Sequence, residues 1–436
     1  MRRHTISALI LALTLAGGPA SAQTFNARRM AMGGVVLGGA GGAGSNVAYR
    51  AVPQPTAGAR TIPLPIGFIP VLANPPELDP SSPNFNLYEV ANLLYTMPWN
   101  LQLVTPDAPS NDVVISVAQD SLSVDLGDVK KIFPADATKL GAVVNGPSLG
   151  FGIRNFFVGL VPVVQYDNQL SLNGALHSAL ANGVPFQART TYQLFDQVRA
   201  QAAAAAVVSA ALPLLVVGDP RAGGHGLYGG ARVKVLRGIA YGDADNTVGF
   251  TTGDTLFANP VDIQYQGQLR RAGPGDAGWG EGLDLGAVWI GNGLELGVGL
   301  NDVGTQINWK VRESVVANDG SGNYVETVIK DGASFTSKVP LVTTVNAAVQ
   351  VGPVLLAGDV VSGVQITQPH LGAEIWTGNI AYRAGGYLDA EKNIQGGCGV
   401  GLKFGNLGLD LALSSHGRNL THDRALELGA GLTFYR

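Results

Sequence analysis

The chain has few charged residues and almost no cysteine, and each shortage excludes a class of protein or site. Charged residues make up 14% of its 436 residues, against about 25% in an average soluble domain. The single cysteine, Cys398, excludes an intrachain disulfide and any metal site built from several cysteines. The net charge of −4 provides no basic surface, so nucleic acid is not an expected partner.

Glycine and apolar residues are abundant instead. The chain contains 60 glycines and 46% hydrophobic residues, and this glycine content is about twice the usual 7%. No segment after Ala22 has the 20 or so consecutive apolar residues that a membrane-spanning helix needs. A transmembrane barrel reconciles these features, because its strands alternate apolar residues that face lipid with polar residues that face the lumen. The predicted fold class is therefore all-β, a transmembrane antiparallel β-barrel.

The first 22 residues have the pattern of a secretory signal peptide. Arg2 and Arg3 precede the apolar run 6–16, and Ala20-Ser21-Ala22 matches the small-residue cleavage pattern. We expect an exported protein of the bacterial outer membrane whose mature chain starts at Gln23. Its expected partners are outer-membrane lipid and the barrel-assembly machinery, with hydrophobic small molecules or exported proteins as candidates for what it handles.

Two regions follow the signal peptide. Residues 23–140 are rich in glycine and proline and predict an irregular segment that plugs the barrel or lies at its rim, because proline removes a donor from a strand ladder. Residues 141–436 predict the barrel, with a helical insertion near 170–215. The insertion is predicted from composition, above all from the alanine run 202–206, because alanine has the highest helix propensity.

Period-two alternation is the strongest pattern in the barrel region. It recurs in the segments 261–269, 283–289, 294–300, 341–349 and 407–413, and it predicts antiparallel hairpins. Tight turns are predicted at Gly291-Asn292, Gly352-Pro353 and Gly405-Asn406. Counting the segments gives about 14 strands, an even number of the kind that bacterial barrels have.

The alternation also predicts which polar side chains face the lumen. If the apolar partners face lipid, the inward set is Asp262, Gln264, Gln266, Gln268, Asp284, Glu295, Glu374 and Arg383. These residues could line a polar path for a solute, or they could pair with one another inside a filled barrel. A lining of mostly glycine and amides would suit an uncharged or amphipathic solute.

Two stretches carry a family resemblance. Ala27-Arg28-Arg29-Met30-Ala31-Met32-Gly33-Gly34 is similar to the start of PorV-like and TraF-like outer-membrane proteins, which are relatives of the FadL fatty-acid transporters. The segments 370–374, 381–387 and 399–410 resemble the last strands of that superfamily. The resemblance implies a FadL-like barrel with the mature N-terminus inside or beneath the lumen. It makes Arg28, Arg29, Met32, Gly33 and Gly34 candidate plug residues.

Two functions follow as hypotheses. The first is passage of hydrophobic or amphipathic small molecules across the outer membrane, and the alternative is a PorV-like adapter for secretion or surface attachment without transport. No enzyme activity, cofactor or metal is predicted. An esterase based on Ser148 in a G-x-S-x-G pattern is a minor alternative, because strand residues follow where a helix is required.

Three other patterns resemble binding sites but lack the sequence context that would support one. Gly39-x-Gly41-x-x-Gly44 matches the dinucleotide fingerprint but has no strand before it. Asp243-x-Asp245-Asn246 could bind a cation, although such clusters are more often solvated loops. His416 and His422 share a predicted loop and could form a weak site.

Overall fold

The chain is described from a computed structural model. The described residues are 26–38, 42–53, 60–73, 100–104, 114–118, 121–125, 138–145, 149–153, 155–254, 262–276, 278–318, 323–363, 366–389, 394–416 and 425–434. The predicted signal peptide, Ser148, Gly39, Gly41 and His422 lie outside these residues.

Strands dominate the described residues. The helices are α1 (Ala27–Ala31), α2 (Phe68–Ala73) and α3 (Gly174–Asn182), with 3-10 turns at Gly42–Gly44, Val47–Arg50 and Pro274–Asp276. The strands are β1 (Arg60–Pro63), β2 (Leu101–Val104), β3 (Val114–Ala118), β4 (Ser121–Asp125), β5 (Thr138–Asn145), β6 (Leu149–Ile153), β7 (Phe156–Leu172), β8 (Thr191–Val217), β9 (His225–Thr251), β10 (Asp262–Ala272), β11 (Trp279–Gly291), β12 (Leu294–Asn318), β13 (Tyr324–Lys338), β14 (Val342–Val351), β15 (Val354–Gly363), β16 (Ile366–Thr377), β17 (Ile380–Leu388), β18 (Ile394–Phe404), β19 (Leu407–His416) and β20 (Ala425–Phe434).

One antiparallel sheet contains 18 of these strands, and β3 and β4 form a separate hairpin. In four cases two strands lie end to end and share one strand position in the sheet. β5 and β6 both pair with β7, and β10 and β11 both pair with β9 and β12. β13 and β14 both pair with β12, and β1 and β2 both pair with β20. Among the described residues the 18 strands therefore fill 14 strand positions, the number that the sequence predicts.

Tight turns close the hairpins at one end of the sheet. Asn292 and Gly293 connect β11 to β12 with φ angles of 52° and 76°, the left-handed pair that a type I′ turn requires. Turns at Gly352 and Gly405 join β14 to β15 and β18 to β19. The predicted turn positions are confirmed, with the first shifted by one residue. Bacterial barrels have their short turns on the periplasmic side.

The two faces of the sheet differ in chemistry. Along β8, Ala203, Ala205 and Val207 are buried on the inner face, whereas Val208 and Leu212 are exposed on the outer face. Exposed apolar side chains continue on the outer face of neighbouring strands and include Val158, Leu160, Val233, Val235, Leu296, Val298, Val345 and Leu356. We call this outer surface the apolar belt.

Two tryptophans mark the height of the apolar belt on β11. Trp279 and Trp289 lie ten residues apart on the same face, opposite Arg237 and Leu227 of β9. Ten residues span about 33 Å of strand, and a strand tilted by about 45° makes this roughly 25 Å of height, the height of the lipid-facing band in outer-membrane barrels. The predicted transmembrane antiparallel β-barrel is therefore confirmed.

The strands on one side of the barrel are much longer than the others. β8 and β9 have 27 residues each, whereas β15 to β20 have between 9 and 12. We call the part of β5, β7–β10, β12 and β13 that extends beyond the ends of β15–β20 the wing. It is on the side opposite the tight turns. The wing was not predicted from the sequence.

The predicted helical insertion near 170–215 is wrong for most of its length. Only α3 is helical, and the alanine run 202–206 lies in β8. Ala203 and Ala205 pack against the apolar interior, and the alanines between them lie on the outer face with the apolar belt. An apolar environment on both faces of the strand therefore overrides helix propensity. None of the described helices is both long enough and apolar enough to span a membrane.

The segment 23–140 also contains more strand than predicted. β1 to β4 and the start of β5 lie within it, and β1 and β2 extend the barrel wall beside β20. These strands have only four or five residues outside β5, too few for period-two alternation to stand out from the surrounding prolines.

Candidate functional site

The N-terminal residues 26–38 and 42–53 occupy the lumen, and we call them the plug. Asn26 caps α1 by accepting a hydrogen bond from the Arg29 amide at 3.2 Å. Met32, Val35 and Ala48 are fully buried. The plug contacts β9, β11 and β12 on one wall and β14 to β20 on the other. A segment that touches both walls shows that the sheet curves around it.

Glycines on the inner face make room for the plug. Gly372 and Gly385 lie against Met32, and a Cβ atom at Gly372 would approach the Met32 Cβ to 2.8 Å. Gly230 on β9 lies against Ala48, and a Cβ atom at Gly230 would approach the Ala48 Cα to 3.0 Å. The same relation holds for Gly286, Gly299, Gly397, Gly399 and Gly429. We call these eight residues the plug-contacting glycines, because a side chain at any of them would collide with the plug.

A buried charge network joins the plug to the wall formed by β16, β17 and β19. The Arg28 guanidinium donates to the two Glu374 carboxylate oxygens at 2.6 and 2.8 Å. Arg383 donates to Glu374 at 2.6 Å and to Asp410 at 2.6 Å. Because Glu374, Arg383 and Asp410 are buried, breaking this network would leave charges unpaired in a site of low dielectric constant.

A second buried network lies on the opposite wall. Lys234 on β9 contacts Asp284 and Asp302 at 2.8 Å each. Arg232 donates to Asp284 at 3.0 Å and also to the carbonyl oxygen of plug residue Ala43 at 2.6 Å. The plug is thus held by charged groups from two sides of the barrel.

Further hydrogen bonds complete the attachment of the plug. Asp359 accepts a hydrogen bond from the backbone amide of Val36 at 2.5 Å, and its other oxygen contacts His370 Nδ1 at 2.6 Å. Asn346 donates to the Tyr49 hydroxyl. The plug is therefore bonded to the wall at Arg28, Val36, Ala43 and Tyr49.

An apolar cluster fills the lumen beside the plug, toward the wing. The rings of Trp309 and Phe335 lie tilted against the ring of Tyr241, with centroid distances of 5.5 and 5.1 Å. Leu236 and Phe157 belong to the same buried cluster. The plug touches it directly, because the Arg50 guanidinium lies 4.2 Å from the centre of the Phe157 ring.

Charged side chains form the next layer outward. Tyr241 donates to Asp243 at 3.0 Å, and Arg199 and Arg270 lie 3.8 and 3.4 Å from the same carboxylate. Arg270 also lies 3.5 Å from Glu313. These residues share the inner face of β8, β9, β10 and β12, since they occupy paired positions in the ladder.

An amide-rich cavity lies beyond the charged layer, on the inner face of the wing. Its volume is about 500 Å³, and it is lined by side chains of four neighbouring strands. Gln197 donates to Asp245 at 2.6 Å across two of these strands. We call it the amide cavity.

The predicted lumen residues fall into two groups. Asp284, Glu374 and Arg383 lie in the buried networks, and half-buried Glu295 lies near Arg221 at 3.8 Å. Gln266 and Gln268 line the amide cavity, Gln264 is exposed two residues farther along β10, and the side chain of Asp262 lies outside the described part. The structure therefore places the first group in ion pairs that hold the plug, and the second in a separate cavity.

The five candidate plug residues all lie in the plug. Arg28 binds the wall, whereas Arg29 donates back to the carbonyl oxygens of Val35 and Gly34 at 3.0 and 2.8 Å. Gly33 and Gly34 have φ angles of 70° and 87°, which only glycine adopts at low cost. The sequence did not reveal Arg232, Lys234 or Asp302 as members of a network. Alternation along one strand shows which face a side chain is on, but it does not show which residue of another strand it pairs with.

The candidate cation site at Asp243, Asp245 and Asn246 does not assemble. Asp243 and Asp245 are on the inner face of β9, but Asn246 is on the outer face, where it accepts from Tyr265 at 2.9 Å. Within the described ranges no group of three or more His, Cys, Asp or Glu side chains could hold a metal ion.

Comparison with known proteins gives only distant likenesses. No family model and no curated protein matches the chain. Among solved structures, it is similar to the Pseudomonas putida toluene transporter TodX, with 12% identity over 94% of this chain and 98% of that chain at a TM-score of 0.38. A Rhodopseudomonas blastica porin matches with 10% identity, 68% and 100% coverage and a TM-score of 0.22. The siderophore receptor PirA from Pseudomonas aeruginosa matches with 11% identity, 68% and 70% coverage and a TM-score of 0.24. At such TM-scores these likenesses carry no argument, and the fold rests on the strand pairing itself.

Proposed function

We propose that this chain resides in the outer membrane and allows hydrophobic or amphipathic small molecules to cross it, with the plug controlling passage. The observation that carries the proposal is the order of layers in the lumen. The amide cavity is outermost, the Tyr241–Trp309–Phe335 cluster follows, and the plug packs against that cluster through Arg50 and Phe157. An amphipathic solute finds a polar surface first and an apolar one next.

The arrangement supports gated passage rather than an open pore. Plug side chains and backbone fill the lumen between opposite walls, and the plug-contacting glycines leave little space around them. A solute can pass only if part of the plug moves. The apolar belt supports the outer-membrane location, and export by the signal peptide at residues 1–22 is part of the same proposal.

A disulfide that fastens the plug to the wall tests this proposal. A Cβ atom built at Gly286 lies 3.1 Å from Asn46 Cγ, close to the separation of a Cβ atom and the partner sulfur across a disulfide bond. We therefore expect Asn46→Cys with Gly286→Cys, in a Cys398→Ser background, to form a disulfide and to block passage.

The measurement is uptake of the hydrophobic dye N-phenyl-1-naphthylamine by intact bacteria that carry each variant. Unlocked protein should raise the uptake severalfold over cells without the protein, and the oxidised double-cysteine variant should return it to that background. Reduction with dithiothreitol should restore uptake, so the reduced double-cysteine variant is one control and Asn46→Cys alone, which adds no side chain at Gly286, is the other. Uptake at background level with the unlocked protein would contradict the proposal.

The wing favours one alternative, an adapter barrel that holds an exported protein. β8 and β9 extend well past the apolar belt, and a surface outside the membrane is what an adapter needs. In that case, the disulfide should leave dye uptake unchanged, and chemical cross-linking in intact cells should attach a protein to the wing.

A further inference from the structure

The amide cavity is built by two rows of side chains that cross four strands. One row consists of Gln169, Gln197, Asp245 and Gln268, which are paired in register across β7, β8, β9 and β10. The next row consists of Ser171, Phe195, Thr247 and Gln266. All eight line the cavity. Because they are two residues apart on each strand, they share one face of the sheet.

That face is the inner one. On β9 the residues that follow Asp245 on the same face are Asp243 and then Tyr241. The Tyr241 ring packs in the apolar cluster of the lumen. Asp196 and Asn246 also border the cavity, but their side chains bond on the opposite face of the sheet, to Asn168 at 2.7 Å and Tyr265 at 2.9 Å. The cavity therefore opens into the lumen at the wing.

The lining combines hydrogen-bonding groups with one aromatic ring and little charge. Four amides and two hydroxyls offer both donors and acceptors. Phe195 keeps 40% of its surface exposed beside them. Asp245 is the one charged side chain in the two rows, and Gln197 already donates to it at 2.6 Å. The nearby arginines, Arg199 and Arg270, are paired with Asp243.

We propose that the amide cavity binds a neutral saccharide. Hydroxyl groups of a sugar both donate and accept hydrogen bonds, and side-chain amides can pair with them in both directions. The Phe195 ring offers an apolar surface for the C–H face of a pyranose. The volume of about 500 Å³ lies within the usual range of small-molecule sites. Asp245 disfavours an anionic ligand, and the layer of paired charges supplies no free cation to balance one.

The ligand is a free solute rather than the saccharide of a membrane lipid. The cavity is on the inner face of the wing, whereas lipid meets the outer face of the barrel. The proposal goes beyond passage of small molecules, since binding in the cavity requires no movement of the plug.

The test is saturation-transfer NMR on the full-length protein, purified in a zwitterionic detergent so that no sugar headgroup competes. The probes are glucose, galactose, maltose, cellobiose, lactose and sucrose, with glucuronate as the anionic comparison. We expect at least one neutral sugar to bind and glucuronate to bind more weakly. Gln197→Ala with Gln268→Ala, and separately Phe195→Ala, should weaken binding about tenfold, as loss of one or two hydrogen bonds or one packed ring implies.

Asn168→Ala is the matched control, because Asn168 lies at the same height on the outer face and bonds Asp196 at 2.7 Å. It should leave the sugar signal unchanged. Gln268→Glu keeps the side-chain size and adds a carboxylate beside Asp245, so it should weaken binding without a loss of fold, which the heat-dependent gel mobility of the barrel reports.

The proposal is overturned if none of the six neutral sugars gives a signal, or if the cavity variants bind as the Asn168→Ala control does. Either result leaves the uptake of N-phenyl-1-naphthylamine and its block by the plug disulfide unaffected. Failure of dye uptake with sugar binding intact would instead contradict the proposed passage alone.

Discussion

At the scale of single residues, glycine is required in this barrel for two different physical reasons. Gly293 supplies a left-handed backbone in the turn after β11, with a φ angle of 76°. Gly385, in the middle of β17, supplies space, because a Cβ atom there would collide with backbone atoms of Met32 and come within 2.6 Å of the Leu371 carbonyl oxygen. In the sequence both occur as glycine within an alternating pattern, and only the plug distinguishes them.

Replacing Gly385 with alanine should destabilise the folded barrel. The added methyl group meets backbone on two sides, and overpacking of this kind costs about 1–3 kcal/mol. The control is Gly242→Ala in β9, because a Cβ atom at Gly242 has no neighbour within 4 Å. The measurement is the temperature at which each variant changes its gel mobility on heating. Equal temperatures for the two variants would contradict a tight contact between plug and wall.

At the scale of elements, local propensity and fold disagree in β8. Its alanines favour a helix in isolation, but Ala203 and Ala205 face the lumen at 3% and 0% exposure while Ala204 and Ala206 face the other way. Their small size lets Trp309 and Leu236 approach the inner wall. The period-two arrangement cannot be read from a run of identical residues, and for this reason composition predicted a helix there.

The outer half of the β12–β13 hairpin should weaken in acid. A hydrogen bond from Arg312 lowers the pKa of Asp331, and a hydrogen bond from Ser314, with Arg271 nearby, lowers the pKa of Glu326. Each carboxylate therefore stabilises the folded hairpin above the ordinary carboxyl pKa of about 4. This contribution is lost as the pH falls through the lowered values.

Hydrogen exchange of the β13 amides, corrected for intrinsic rates, measures this effect between pH 6 and about pH 3. Exchange protection should fall in wild-type protein, and it should be lower and less dependent on pH in the variant Glu326→Gln with Asp331→Asn. β19, in the short-stranded part of the barrel, serves as the internal control. Protection that is constant down to pH 3 would show that these ion pairs contribute nothing, as exposed pairs often do.

At the scale of the whole molecule, one chain forms a lipid-facing belt and a wing outside it. Val208 is on the outer face of β8, paired with Val233, which lies near the middle of the stretch between the residues opposite Trp279 and Trp289. Val328 is also exposed on a strand, but it lies in β13 beyond the belt. The two valines are similar in exposure and differ in the solvent that should surround them.

Arginine at these two positions should therefore have unequal effects in lipid vesicles. Val208→Arg should lower the free energy of unfolding by about 2–4 kcal/mol, the cost of arginine at the bilayer midplane. Val328→Arg should change it by less than about 0.5 kcal/mol, as a surface substitution in water does. Denaturant unfolding followed by tryptophan fluorescence measures both. If both changes cost equally little, the belt does not face lipid.

The sequence alone determined the fold class, the approximate number of strand positions and the tight turns, because these depend on period-two alternation and on glycine at left-handed positions. It also indicated that Gln266, Gln268, Glu374 and Arg383 share the inner face. Only the tertiary structure decided that Glu374 binds the plug and is held in turn by Arg383, while Gln266 and Gln268 line a separate cavity. Alternation assigns a side chain to a face, whereas its partner depends on which residues, hundreds of positions away, the closed sheet brings within hydrogen-bonding distance.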